Sequence, residues 1–172
     1  MLTDRMNAVD GSEKRGLIEI PAPISALSQV RRANRCISKL YNLVLASCGL
    51  NATQYVLLRA IANANEISQH ELATRLSVAT ATLSRRLSAL RKRGLLKMRL
   101  AARGSRVYSM TGSGEAIINS AAQQWQSAEY RLRLALGEAD WKLFVDLCER
   151  VCVAAQQAEN MRVAFRNRTA NK

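Results

Sequence analysis

Apolar residues recur at every third or fourth position through most of the chain, which is the spacing of amphipathic helices. One such helix is expected over residues 23–49, where Gly49 should end it, and the next should begin at Asn51. Two long helices are expected after Thr111, separated by Gly137. Glycine and proline, which interrupt helices, are scarce, so the pattern predicts a mainly α-helical protein.

Two short helices joined by a tight turn are expected in the middle of the chain. The first begins at Ser68. Ser68 and Glu71 have the spacing of a capping box, in which the side chain of each residue accepts a hydrogen bond from the free backbone N–H of the other. Residues 77–79 form the turn, and the second helix covers residues 80–93 and ends at Gly94. This arrangement is a helix-turn-helix.

The apolar period changes from 3.6 to 2 after this second helix. Apolar residues recur at every second position in 96–100 and again at Tyr108 and Met110, and residues 101–105 supply a turn, so a β-hairpin of residues 96–100 and 106–110 is expected. A hairpin directly behind a helix-turn-helix is a wing. The predicted fold class is therefore mainly α: a winged helix-turn-helix with a two-stranded wing, and long N- and C-terminal helices that form a dimerisation region.

The predicted elements divide the chain into five parts. The terminal helices carry apolar faces that the small central region cannot cover, which indicates a homodimer. The parts are a flexible N-terminal arm (1–22), an N-terminal dimerisation helix (23–49), a winged helix-turn-helix DNA-binding region (50–111), C-terminal dimerisation helices (112–166) and a flexible tail (167–172).

The formal net charge of the chain is +13, and most of it is concentrated in the predicted winged region. Between Ser68 and Thr111 there are ten lysines and arginines but only one glutamate, so this quarter of the chain carries +9. A local excess of this size indicates a partner made of phosphates, and double-stranded DNA is the expected partner. No apolar stretch is long enough to cross a bilayer, and the first residues lack the apolar run of a signal peptide. We therefore expect a cytoplasmic protein with reduced cysteines and no membrane partner.

The second short helix has one apolar face and one face of small, hydroxyl-bearing and basic residues. Leu83, Leu87 and Leu90 share the apolar face and should point into the core. Helix-turn-helix proteins read DNA with the N-terminal part of this helix, where Arg85 can donate to a guanine edge or a phosphate. The residues of this helix predicted to contact DNA are Thr80, Ala81, Thr82, Ser84, Arg85, Ser88 and Lys92.

Other basic residues are predicted to contact the DNA backbone and the minor groove. Lys92 and Arg93, at the far end of the helix, should meet phosphates, and Arg103 and Arg106 of the wing should reach the minor groove. For Arg106, a mobile exposed side chain is the alternative. The alternative interpretation of the helix is a basic helix that is merely solvated. The capped first helix, the turn and the strand pair favour DNA binding over that alternative.

Five successive segments resemble those of the MarR (multiple antibiotic resistance regulator) family. They are LNATQYVLL at 50–58, SQHELATRL at 68–76, TATLSRRL at 80–87, LRKRGLL at 90–96 and YSMTGSG at 108–114. Their order and spacing carry the resemblance, which runs from about residue 30 to residue 153. The chain departs from the family at Ala102, where the wing usually has Asp, and at Ala79, where the recognition helix commonly begins with Asp.

The resemblance implies a homodimer in which the first helix and the last two helices interlock with those of the partner. Two wings then straddle a pseudo-palindromic operator, and repression is the commoner mode of action. The resemblance also implies release of DNA when a small lipophilic or aromatic effector binds, or when a cysteine is oxidised. Tyr41, Tyr55, Trp125 and Tyr130 are the residues that would line an effector cleft; ordinary core and interface packing is their alternative role.

Two alternative functions and one exclusion follow from the residues. A thiol-based redox sensor of the same fold would use Cys148 and Cys152, which lie four apart on one helix and can face a partner chain. A non-specific architectural protein would need only the basic charge, and it would bind DNA with little sequence preference. An enzyme is not expected, because His70 is the only histidine and there is no Gly-rich phosphate loop or Cys-x-x-Cys pair. No metal and no cofactor are expected.

Overall fold

The computed structural model describes residues 25–170, except for the side chains of Arg103 and of residues 163–170. The expected N-terminal arm, residues 1–22, lies outside this range. The helices are α1 (Ala26–Leu45), α2 (Ala52–Ala64), α3 (Gln69–Arg75), α4 (Thr80–Lys92), α5 (Gly112–Leu136) and α6 (Glu138–Ala170). The strands are β1 (Glu66–Ser68), β2 (Leu96–Leu100) and β3 (Arg106–Met110), and short 3-10 turns cover Ala46–Cys48 and Ala102–Gly104.

The chain divides into two compact units, and the boundary between Cys36 and Ile37 falls within α1. The described part of the first unit is the N-terminal half of α1. Helix α1 begins after Ser25, whose hydroxyl accepts a hydrogen bond from the Ser28 amide at 3.4 Å. The second unit contains all the other elements.

The helix ends of the second unit follow from local side-chain chemistry. Gly49 adopts a φ of +64°, a left-handed conformation that ends the turn after α1, as predicted. Asn51 and Gln54 form a complete capping box at the start of α2, with hydrogen bonds of 2.9 and 3.0 Å. The capping box predicted at Ser68 is only half formed. The Ser68 hydroxyl accepts from the Glu71 amide at 3.1 Å, but no return bond from the Glu71 side chain is found within residues 25–170.

The predicted wing hairpin is present, and a third strand joins it. β2 and β3 pair antiparallel from Leu96 opposite Met110 to Leu100 opposite Arg106, with the bounds that the sequence predicts. β1 pairs with the other edge of β3, so the sheet order is β1-β3-β2. Three residues are too few to show a period of 2, and the sequence pattern therefore missed β1. Ile67 of β1 is only 1 % exposed, so this short strand attaches the wing to the core.

A single apolar core joins α2, α3, α4, the sheet and the first half of α5. The three leucines predicted to face inward from α4 are each at most 1 % exposed. Apolar packing therefore fixes the rotation of α4 about its own axis and decides which of its residues face solvent. The largest fully buried side chains are those of Leu45, Leu58, Ile61, Ile67, Leu72, Leu83, Leu87 and Leu90.

The two C-terminal helices continue beyond this core. Thr111 caps α5 by accepting a hydrogen bond from the Gly114 amide at 3.0 Å, and Gly137 follows its last residue, both as predicted. α6 continues to Ala170, whereas the sequence analysis placed residues 167–170 in a tail; no glycine or proline after Gly137 interrupts the helix. Exposed apolar residues of α5 and α6 include Leu134, Leu136, Leu143, Val145, Leu147, Val151, Val153 and Met161. Within the described residues, no helix has the length and apolar character needed to cross a membrane.

Candidate nucleic-acid interface

The outward face of α4 is formed by the residues that the sequence analysis selected. Because Leu83, Leu87 and Leu90 are buried, the residues between them are turned towards solvent. The structure places Thr80, Ala81, Thr82, Arg85, Ser88 and Lys92 at exposed positions of this helix, and only Ser84 is half-buried. Small and hydroxyl-bearing residues thus occupy the N-terminal half of the face, which allows the helix backbone to approach a groove closely.

The cations of α4 have no acidic partner among the residues that the structure describes. Arg85, Arg86, Arg91 and Lys92 are exposed, and none of them forms an ion pair with a described residue. Unpaired guanidinium and ammonium groups on one helix produce a positive potential that attracts phosphates. This face therefore has the charge and the shape that binding to duplex DNA requires.

The N-terminal end of α4 is held by few polar contacts. Its N-cap residue, Ala79, provides no side-chain hydrogen bond, so the first backbone N–H groups of α4 are not capped by it. Gln69 approaches this end, since its Nε2 donates to the Thr80 carbonyl oxygen at 3.5 Å, while its Oε1 accepts from the Tyr108 hydroxyl at 3.4 Å. Both distances are at the long limit of a hydrogen bond.

The C-terminal end of α4 is held by contacts that the sequence does not indicate. Arg93 was expected to meet a phosphate. Instead, its Nη2 donates to the Gly49 carbonyl oxygen at 2.9 Å, and its Nη1 donates to Gln54 Oε1 at 3.3 Å. Sequence spacing gives no sign of this contact, because Arg93 is 44 residues away from Gly49.

The wing carries a second intramolecular contact of an arginine. Arg99 of β2 reaches across β3 to Glu66 of β1, with Nε–Oε1 and Nη2–Oε2 distances of 3.1 and 2.6 Å. The hydrogen bonds from Arg99 lower the pKa of the Glu66 carboxyl. Arg106 is exposed at the start of β3, and the side chain of Arg103 lies outside the described part of the structure. The pair of Arg99 and Glu66 thus joins the two outer strands of the sheet.

Three of the four residues predicted to line an effector cleft lie together. Trp125 stacks on Tyr55, with ring centroids 4.5 Å apart and an angle of 14° between the planes, and its centroid lies 4.2 Å from that of Tyr41. The Tyr41 hydroxyl donates to Glu129, and burial together with this carboxylate raises the pKa of Tyr41 above its ordinary value. Tyr130 is not part of this aromatic cluster, because its side chain is 65 % exposed.

The exposed cysteines of the described chain lie on α1 and α6. Cys148 and Cys152 are free and exposed on α6, and Cys36 is exposed on α1. In the described range, no group of three or more histidine, cysteine or acidic side chains is arranged to hold a metal ion.

A basic helix in a helix-turn-helix, followed by a β-hairpin and packed on one leucine-rich core, defines a winged helix-turn-helix protein. The MarR family model matches residues 50–99. The resemblance to the MarR family that the sequence indicates is thus confirmed over these residues. No curated protein has significant sequence similarity to the chain.

Solved structures share the fold over most of the chain. The M. tuberculosis transcriptional regulator MosR, in complex with DNA, is similar with a TM-score of 0.72 and 27 % identity, covering 78 % of this chain and 98 % of that one. The oxidized form of MarR from E. coli is similar with a TM-score of 0.62 and 26 % identity, covering 74 % and 94 %. A mutant MarR from E. coli complexed with operator DNA has a TM-score of 0.67 at 24 % identity, covering 72 % and 91 %.

Proposed function

We propose that the protein is a transcriptional regulator that binds double-stranded DNA in a sequence-specific way. The observation that carries the proposal is the outward face of α4, where Arg85, Arg86, Arg91 and Lys92 are exposed without an ion-pair partner in the described chain. The predicted contacts from the wing, Arg103 and Arg106, belong to the same proposal. The MosR structure with DNA, which is 27 % identical over 78 % of this chain, supports it.

The regulator acts as a homodimer on a pseudo-palindromic operator. Support comes from the exposed apolar residues of α5 and α6, among them Leu134, Leu143 and Val151, each more than half exposed. Apolar side chains in such number on neighbouring helices favour burial against another copy of the chain. A two-fold dimer presents two copies of α4 to successive turns of the major groove, which matches a palindromic site.

Repression relieved by a small lipophilic or aromatic effector is the proposed mode of action. An effector that bound among the aromatic cluster would have to separate Trp125 from Tyr55, which it stacks on in the structure. Such a ligand would change the emission of Trp125. The second tryptophan of the chain, Trp141, also contributes to the emission, so the measurement uses the variant Trp141→Phe. A saturable change in Trp125 emission, together with loss of DNA binding, supports this mode, and an unchanged emission on release from DNA contradicts it.

A thiol-based redox sensor of the same fold is the second candidate. The observation in its favour is the exposure of Cys148 and Cys152 on α6 of the single chain, where both thiols can face a partner chain. Peroxide treatment followed by a DNA titration tests it, with the double variant Cys148→Ser, Cys152→Ser as the control. If peroxide lowers the affinity of the wild type but not of the double variant, the redox candidate is supported; equal affinity before and after treatment excludes it.

The test of the main proposal is a salt-varied binding titration against DNA from upstream of the protein's own gene and a shuffled control. A regulator prefers its site by orders of magnitude, and two protomers bind each duplex. Equal affinity for both DNAs, with a steep salt dependence, would favour the non-specific architectural function. That result calls for selection of bound sequences from a random library. If the library also gives no preferred sequence, the specific regulator is refuted.

A further inference from the structure

The C-terminal end of α4 is tied to the segment that joins α1 to α2. Arg93 is the C-cap residue of α4, and its planar guanidinium donates to two acceptors at once, the Gly49 carbonyl oxygen and Gln54 Oε1. A guanidinium can span two acceptors because its N–H groups are fixed in a fork, which a lysine ammonium lacks. Gly49 ends the turn after α1, and Gln54 is part of the capping box of α2.

The same joining segment is anchored to α1. The Ala52 amide donates to Asn42 Oδ1 at 2.7 Å, and Asn42 lies in the last two turns of α1. Gln54 Oε1 accepts from both the Asn51 amide and Arg93, so one oxygen links the start of α2 to the end of α4. A continuous set of hydrogen bonds thus runs from the last turns of α1 to the C-cap of α4.

The residues directly after Arg93 are held by α5. The Thr111 hydroxyl donates to the Gly94 carbonyl oxygen at 2.7 Å, and the Thr111 amide donates to the Leu95 carbonyl oxygen at 3.1 Å. The backbone at Gly114 lies so close to Leu95 that a Cβ there would be 2.2 Å from the Leu95 oxygen. The end of α4 is therefore fixed on one side to α1 and α2 and on the other side to α5.

The two ends of α4 thus differ in how firmly polar contacts hold them. Among the described residues, the N-terminal end has no side-chain cap and one side-chain hydrogen bond, of 3.5 Å from Gln69, whereas the C-terminal end is tied on two sides. A helix of 13 residues is about 20 Å long, so a rotation of about 10° at its C-terminal end moves its N-terminal end by about 3 Å. A shift of that size is as large as the length of a hydrogen bond between a side chain and a base edge.

We propose that Arg93 is a positioning residue: it sets the direction of the recognition helix by tying its C-terminal end to the α1–α2 junction. Its cation is used inside the protein and does not contact a phosphate. The role rests on the proposed function, since it concerns how α4 is presented to DNA.

The experiment compares Arg93→Ala, Arg93→Lys and Lys92→Ala in salt-varied titrations. The probes are a duplex selected by the wild type from a random library and a shuffled version of it. If Arg93 positions α4, both Arg93 variants lose roughly tenfold or more of their affinity for the selected duplex, and less for the shuffled one. The salt slope stays that of the wild type. Lys92→Ala, the neighbouring exposed cation, instead weakens both duplexes and lowers the slope by about one.

Two results overturn the proposal. In the first, Arg93→Ala lowers the salt slope by about one and Arg93→Lys restores wild-type binding, which identifies a phosphate contact. In the second, both duplexes lose affinity equally in both variants at an unchanged slope, which identifies only a loss of folded protein.

A measurement without DNA separates the positioning role from the proposed function. Hydrogen exchange of the α4 amides should accelerate in Arg93→Ala and Gln54→Ala to a similar extent, and the double variant should add little to either. Unchanged exchange in Arg93→Ala overturns the positioning role whatever the DNA results are. If the wild type itself prefers no sequence, the proposed function fails, while the exchange data still decide whether Arg93 anchors α4.

Discussion

Gly114 lies where α5 passes over the strand that follows the recognition helix, and its replacement by alanine tests how tight that junction is. An added Cβ would lie 2.2 Å from the Leu95 carbonyl oxygen and 3.2 Å from the Leu95 carbonyl carbon. Both atoms belong to the backbone, so neither can move away by rotation of a side chain. The Thr111 amide donates to the same oxygen, which means that any displacement of Leu95 also strains this hydrogen bond.

Two effects of opposite sign decide the change in stability for Gly114→Ala. Alanine in place of glycine within a helix stabilises the folded protein by about 0.5–1 kcal/mol, because the unfolded chain loses less conformational entropy. A methyl group forced into closely packed structure costs about 1–3 kcal/mol. A carbon normally approaches a carbonyl oxygen to about 3.3–3.6 Å, so the junction must open by roughly 1 Å. The steric cost therefore prevails, and we expect a net loss of about 1–2 kcal/mol.

The same helix offers a matched control in Gly112→Ala, two residues away. No atom lies within 4 Å of a Cβ added at Gly112, so only the favourable effect on the unfolded chain applies there. Urea and thermal unfolding followed by circular dichroism, at one fixed protein concentration, measure both variants. For a chain of this size, Gly114→Ala should lower Tm by roughly 2–8 °C, and Gly112→Ala should leave it unchanged or raise it slightly. If the two variants are equally stable, the close approach of α5 to Leu95 does not exist in solution.

Three further predictions concern the recognition helix, the aromatic cluster and the wing. Arg85→Ala should weaken binding to the operator by about 1–3 kcal/mol and reduce the preference over shuffled DNA; an intact preference in titrations would mean that another face of α4 reads the bases. The pKa of Tyr41 in the folded protein lies above the value of about 10 for the unfolded chain, so its contribution to stability is complete below pH 10 and is lost as the pH rises above it. Between about pH 10 and 12, the free energy of unfolding measured with urea should therefore fall less steeply with pH in Tyr41→Phe than in the wild type. Identical slopes against pH would contradict a raised pKa of Tyr41 in the folded protein. Glu66→Gln frees Arg99 and removes a negative charge from the wing, so it should tighten binding to shuffled DNA and steepen the salt dependence, an effect that titrations at several salt concentrations measure.

The parts of the fold that the sequence predicted correctly are those with a strong local signal. The leucines at 83, 87 and 90 predicted the buried face of α4, and apolar residues spaced by two on either side of residues 101–105 predicted the strands of the wing. β1 was missed because its three residues gain their structure from pairing with β3 rather than from a pattern of their own. The expected capping box at Ser68 was only half right, because the Ser68 hydroxyl caps α3 but no return bond from the Glu71 side chain is found within residues 25–170.

The candidate site was harder to predict, because a run of charges along the sequence does not show which charges are already used inside the protein. Arg91, Lys92 and Arg93 are consecutive, yet only Arg93 donates to the Gly49 carbonyl oxygen. Arg99 in turn is paired with Glu66. Of the ten cations between Ser68 and Thr111, at most eight are therefore left for phosphates.

This number limits the salt dependence of DNA binding. If the winged region supplies all phosphate contacts, the slope of log K against log salt should not exceed about seven per protomer, because each neutralised phosphate contributes about 0.9. Titrations between low and moderate salt measure the slope directly. A slope near nine would mean that Arg93 and Arg99 leave their protein partners when DNA binds, and the double variant Arg93→Gln, Arg99→Gln should then lower it by about two. A slope at or below seven that this double variant leaves unchanged would show that both cations stay committed to holding the recognition helix and the wing in place.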